Sequence, residues 1–175
     1  QLQAAGTPIL PRLSRVANGY LGQDGCNITA PQWRALAEFA AAVNASLVYG
    51  LDSLLRQHAQ PEGAIDLRNA DGLLSLAAEK PLSLFGYELG NEPLAWSQQH
   101  YTNLTVAQHA ADFAPLRKRI AVHFGGKGGG GPLPRTIGPD VYGLTRRGGS
   151  ATAYLQEFLA ARPPVDIVTI HLYSL

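Results

Sequence analysis

The chain has 175 residues, of which 46% are hydrophobic and 15% charged, so it can bury one sizeable core and is not expected to be disordered. Its formal net charge of +1, without a long block of like charge, argues against a nucleic acid or an anionic membrane surface as the partner. The ligand must therefore be inferred from a site.

From residue 26 onward, strand-like and helix-like segments alternate, which is typical of βα units. Thr29 and Gln32 form a capping box that predicts the first helix. The apolar face of that helix is predicted to consist of Trp33, Leu36, Phe39 and Val43. A buried strand is predicted over 46–51, ending at Asp52, and a short helical turn over 53–57. The next helix begins around Asn69 and is predicted to bury Leu73, Leu74, Leu76 and Ala77.

A strand over 82–89 leads directly into Gly90-Asn91-Glu92-Pro93. A second capping box, Thr105 with Gln108, predicts a helix to about residue 122 that can kink at Pro115. The core face of this helix is predicted to be Phe113, Leu116 and Ile120. A glycine-rich insertion at 125–131 precedes a strand over 136–138, a helix over 151–161 and a last strand over 166–172. The helix over 151–161 carries Tyr154, Leu155, Phe158 and Leu159. Four strands, all but the last followed by a helical segment, amount to about half of a (β/α)8 barrel.

In such a barrel, reactive side chains lie where strands end, because those ends and their loops form the mouth. The residues at predicted mouth positions are Asp52, Asn91, Glu92, Asp140, His171 and Tyr173. Asp166, at a strand start, is expected to stabilise the fold instead.

The segment Tyr87 to Pro93 resembles the fourth-strand signature of the large clan of retaining glycosidases. Further stretches in the right order resemble glycoside hydrolase family 79, the heparanases and heparanase-like β-glucuronidases. These stretches are Gly25-Cys26 ahead of Trp33, 48–52, Gly138-Pro139-Asp140 and 169–173. The resemblance covers residues 25–175, leaving 1–24 unassigned, and it implies a partial barrel of roughly strands three to six. Asp52 departs from the asparagine usual there, and the 125–131 insertion has no recognised counterpart.

The resemblance implies that Glu92 is the general acid/base and that Asn91 binds the sugar hydroxyl next to the anomeric carbon. It also implies that His171 and Tyr173 shape the site, and that the nucleophilic glutamate lies beyond residue 175, so the chain by itself is expected to be inactive. Glycoside hydrolysis needs two carboxyl groups within about 5 to 9.5 Å. Glu88 cannot be the second one, because an extended strand separates it from Glu92 by about 13 Å. Glu88 is therefore interpreted as an inward-facing charge that needs a partner.

Simpler interpretations remain open for several of these residues. Glu92 could cap a turn, His171 could be a hydrogen-bonded core histidine, and Tyr173 could be a packing aromatic. Arg146 and Arg147 lie where the heparanases bind sulphated substrate, but they could equally be solvated loop charges.

The expected activity is β-glucuronide hydrolysis in glycosaminoglycan-type glycans, with Asp52 and the two arginines as further substrate-binding candidates. The alternatives are a non-catalytic glycan-binding protein on the same barrel, or a clan relative such as an arabinofuranosidase or endoglucanase. The histidines lack the spacing and the cysteine neighbours of a zinc site, so no metal and no cofactor is expected.

Three N-x-S/T tripeptides, at Asn27, Asn44 and Asn103, favour a secreted glycoprotein. Cys26 has no second cysteine to pair with, so it does not settle the compartment. The chain starts with Gln1 and shows neither a leader nor an apolar run long enough to span a bilayer. We therefore expect an internal piece of an extracellular, lysosomal or vacuolar protein, attached to a membrane only peripherally if at all.

Overall fold

The computed structural model describes residues 29–57, 63–79, 84–98, 104–125, 132–143 and 149–172. Helices and strands alternate through these ranges. The elements are α1 (Ala30–Ala42), β1 (Leu47–Leu51), α2 (Arg68–Glu79), β2 (Leu84–Leu89), α3 (Pro93–Gln98), α4 (Val106–Phe124), β3 (Arg135–Tyr142), α5 (Ser150–Ala160) and β4 (Ile167–His171). The short helix α3 was not predicted from the sequence.

The four strands form one parallel sheet in the order β1-β2-β3-β4. Parallel neighbours need crossover connections, and helices provide them between each pair of successive strands. The predicted α/β class with a partial barrel architecture is therefore confirmed. Because the strands are parallel, the carboxyl ends of β2, β3 and β4 all lie at the same edge of the sheet.

The core lies between the helices and one face of this sheet. Tyr87 and Leu89 from β2 and Val141 from β3 are fully buried against side chains of α2, α4 and α5. The largest contributions from the helices are the fully buried Leu73, Leu74, Phe113, Leu116 and Phe158. Burying each such side chain stabilises the fold by about 1.5–3 kcal/mol relative to leaving it exposed.

Local sequence signals locate the helix starts correctly. Thr29 and Gln32, and Thr105 and Gln108, make both hydrogen bonds of a capping box. The predicted buried faces of α2 and α4 are confirmed, and α4 runs through Pro115 to Phe124. In α5, Tyr154 and Phe158 are buried, whereas Leu159 is 46% exposed.

The predicted face of α1 was wrong. Trp33 is buried, but Leu36, Phe39 and Val43 are exposed, with Phe39 at 65%. The buried residues are instead Trp33, Ala37 and Ala40, which recur at helical spacing. On this buried face, Trp33 packs edge-on against Tyr49 of β1, with ring centroids 5.1 Å apart.

The helical turn predicted over 53–57 is also wrong. Arg56 forms an antiparallel bridge with Ile65, held by hydrogen bonds from the Gln57 amide to the Ala64 carbonyl (2.8 Å) and from the Asp66 amide to the Leu55 carbonyl (2.8 Å). The long-range partner Asp112 explains the difference, because the Arg56 guanidinium binds both of its carboxylate oxygens at 2.6 and 2.8 Å. Strand β3 is longer than predicted, since it pairs with β4 beyond Pro139.

Candidate active site

The Gly90-Asn91-Glu92-Pro93 turn leaves the carboxyl end of β2. Gly90 has φ +109, and a Cβ there would lie 2.9 Å from the His109 ring and 3.2 Å from the Pro139 carbonyl oxygen, so only glycine fits without strain. Glu92 also adopts a positive φ, 48, which is uncommon for a residue with a side chain. Asn91 is exposed, while the Glu92 side chain is 23% exposed. The turn thus presents both side chains at the edge where the strands end.

Three side chains from three strand ends meet at this edge. His171, the last residue of β4, places Nδ1 2.7 Å from Glu92 Oε1 and Nε2 2.9 Å from Asp140 Oδ1. The Glu92 backbone N–H donates to the Asp140 carbonyl oxygen at 2.9 Å. Glu92, Asp140 and His171 were predicted at mouth positions, and the structure brings them into direct contact.

The charges of this cluster perturb one another. The hydrogen bond from Glu92, together with the negative charges of Asp140, Glu92 and Glu88, raises the pKa of His171. Burial, followed by the nearby Glu88 charge, raises the pKa of Asp140, while the His171 charge opposes this. Perturbed titratable groups that converge at a strand edge are typical of sites that transfer protons.

Glu88 lies within β2, four residues before Glu92. The partner that the sequence did not identify is Thr169 of β4, whose hydroxyl donates to Glu88 Oε1 at 2.7 Å. Glu88 is therefore a hydrogen-bonded charge inside the site region.

His109 of α4 packs beside Gly90 and holds the strand end that precedes the turn. It is fully buried, its Nε2–H donates to the Leu89 carbonyl oxygen at 3.1 Å, and its Nδ1 accepts from the Tyr154 hydroxyl at 2.8 Å. Burial lowers the pKa of His109 to about 4, so the ring is neutral. From the sequence, this histidine was considered only as a possible metal ligand. A histidine among the apolar positions of a helix was the one available signal of a structural role.

Asp52 follows β1 as predicted, and its carboxylate accepts from the Leu54 amide at 2.7 Å. Asp166, before β4, binds Arg117 and the Thr136 amide and hydroxyl, which agrees with a stabilising role at the opposite end of the sheet. Tyr173, Arg146 and Arg147 lie outside the described residues.

Of the three candidate glycosylation sites, Asn44 is exposed just after α1, whereas Asn27 and Asn103 lie outside the described residues. Within the described ranges, no three His, Cys, Asp or Glu side chains are arranged to hold a metal ion. None of the helices described has the length and apolar character needed to cross a bilayer.

The family to which this chain belongs was identified by comparison with known proteins. A search among curated proteins found no match. The sequence profile described as glycosyl hydrolase family 79, N-terminal domain, matches residues 4–175, which includes most of the segment before residue 25. Because this match spans almost the whole chain, and the parallel α/β unit with its strand-end carboxylates fits a barrel domain, the chain belongs to glycoside hydrolase family 79.

Proposed function

We propose that this chain supplies the general acid/base of a retaining glycoside hydrolase that cleaves β-glucuronide linkages. The observation that carries the proposal is the Glu92 carboxyl group, which is partly exposed at a strand end and hydrogen-bonded to His171 at 2.7 Å. A general acid needs both properties, since the carboxyl group must reach the leaving oxygen and must be held in one orientation.

The reaction has two steps in this proposal. Glu92 first donates its proton to the leaving oxygen while a carboxylate nucleophile attacks the anomeric carbon, and the Glu92 carboxylate then removes a proton from the water that releases the sugar. We assign the nucleophile to sequence beyond residue 175, as the family resemblance implies, and interpret Glu88 as a carboxyl group that the Thr169 hydroxyl holds within the site. A role for Asn91 in binding the adjacent sugar hydroxyl fits its exposure beside Glu92.

The specificity for glucuronides rests on the family. Asp52, Tyr173, Arg146 and Arg147 are the proposed contributors to substrate binding, with the arginines suited to planar recognition of carboxylate or sulphate. We also propose glycosylation at Asn27, Asn44 and Asn103 and a location in the secretory pathway, outside the cell, or in a lysosome or vacuole.

The test compares aryl glucuronides with good and poor leaving groups in the full-length protein. Glu92→Gln should lower kcat/KM for the poor leaving group by on the order of 10²–10⁴-fold and affect the good leaving group far less, because only the former needs protonation. Glu92→Ala with added azide should regain turnover and give a glycosyl azide of retained configuration. Glu79→Gln, at the exposed end of α2, is the matched control and should behave as wild type.

Three outcomes would redirect the proposal. Wild-type turnover in Glu92→Gln would refute the acid/base role. Glycan binding without hydrolysis by the wild-type protein would instead support a glycan-binding protein. Hydrolysis confined to arabinofuranosides or glucosides would keep the reaction and reject the glucuronide specificity.

A further inference from the structure

Asp140 lies at an irregularity in the pairing of β3 with β4. Pro139 pairs with Thr169 and Val141 with Ile170, so Asp140 is an additional residue without its own partner in the ladder. Its φ is +60, and its side chain is only 5% exposed. Bulged residues near strand ends commonly redirect a side chain toward a site. Here the carboxylate meets His171, and the backbone carbonyl meets the Glu92 amide.

These contacts close a ring around Glu92. Asp140 binds the main chain of Glu92 directly at 2.9 Å, and through His171 it also reaches the Glu92 carboxyl group. We propose that Asp140 is a positioning residue that keeps a proton on Nε2 of His171, so that Nδ1 always faces Glu92 in the orientation needed for proton transfer. The inference rests on the proposed role of Glu92 as acid/base.

The chemistry follows from the donors and acceptors. A carboxylate only accepts, so the Asp140–His171 contact requires N–H at Nε2. When the ring is neutral, Nδ1 accepts from the Glu92 O–H, which is the acid form. When the ring is protonated, Nδ1–H donates to the Glu92 carboxylate. In both forms His171 and Glu92 share one proton, and Asp140 prevents the ring from flipping or changing tautomer.

Among the described residues, two further carboxyl groups act on this pair: Glu88 from β2 and Asp140 from β3. Both are acidic and favour retention of the shared proton. Loss of the Asp140 charge should therefore make the shared proton easier to lose.

The experiment is Asp140→Asn in the full-length protein, with pH profiles on the same two aryl glucuronides. An asparagine amide is uncharged and can either accept from or donate to Nε2, so the variant loses both the negative charge and the requirement for a proton on Nε2. We expect kcat/KM for the poor leaving group to fall by on the order of 10²-fold. The basic limb of the profile should move to lower pH by about one unit or more, and the good leaving group should change little. Asp166→Asn, the same substitution before β4, should leave the limb in place.

Two further measurements guard against a variant that does not fold. Asp140→Ser, which is smaller and also uncharged, should give the same shift of the basic limb. In the wild-type protein, nitrogen NMR of His171 should show a protonated Nε2 at every pH of activity. An unshifted basic limb in a folded variant, equal losses on both substrates, or a neutral ring protonated at Nδ1 would overturn the inference. Because Glu92→Gln is measured separately, failure of the proposed function, seen as wild-type turnover in that variant, is distinguishable from failure of this inference.

Discussion

Acid should destabilise this fold through one buried side chain, His109. In the neutral form its ring donates to the Leu89 carbonyl and accepts from the Tyr154 hydroxyl, so both nitrogens are satisfied without a charge. Protonation would place a charge in a fully buried position and would require the Tyr154 hydroxyl to change from donor to acceptor.

The magnitude follows from the pKa of His109 in the folded and unfolded states. Burial holds the folded pKa at about 4, against 6.5 for the ordinary side chain. A lowered folded pKa means that the stabilisation is complete above the unfolded pKa and is lost as the pH falls toward the folded one. At about pH 5 the loss amounts to about 2 kcal/mol, and near pH 4 it approaches about 3 kcal/mol.

Urea unfolding followed by circular dichroism between about pH 8 and pH 5 measures this directly. His109→Gln is the reference, because glutamine can donate and accept but does not titrate. The unfolding free energy of wild type minus that of the variant should be constant above about pH 7.5 and should fall by about 2 kcal/mol at about pH 5. Contributions from the carboxylates cancel in this difference. Parallel pH profiles for the two proteins would refute the assignment of a neutral, buried His109.

Two further predictions concern charge burial and backbone strain. Arg56→Met should cost about 3–5 kcal/mol in urea unfolding, because it leaves the carboxylate of Asp112, which is 5% exposed, without its cation. The double variant with Asp112→Leu should regain most of that loss, and equal instability of both would contradict the argument. Gly90→Ala should cost about 1–3 kcal/mol from its φ of +109 and from contact with the His109 ring. Gly50→Ala, where no described atom lies within 4 Å of the added Cβ, should change the unfolding free energy far less.

Local signals in the sequence predicted much of the fold. The capping boxes at Thr29 and Thr105 join residues three apart, so both partners are visible in one short window. The faces of α2 and α4 follow from helical periodicity. The parallel sheet follows from the alternation of strands and helices. The buried face of α1 was not predictable in this way. The prediction favoured the large apolar side chains, whereas the helix buries two alanines beside Trp33.

The candidate site was predicted only as a set of positions. Strand ends indicated Glu92, Asp140 and His171, since parallel strands bring their carboxyl ends to one edge. Their contacts could not be predicted. The bulge that turns Asp140 depends on the pairing of β3 with β4, and the support from His109 depends on how α4 packs against α5.

The sequence by itself determined where most of the helices and strands lie, and that a glutamate follows the second strand of the sheet, because these depend on neighbours a few residues apart. Only the tertiary structure decided what that glutamate touches. His171 and Glu92 are 79 residues apart, and Asp140 reaches both only after three strands align. Hydrogen bonds at such separations are set by packing and register, which no local pattern encodes.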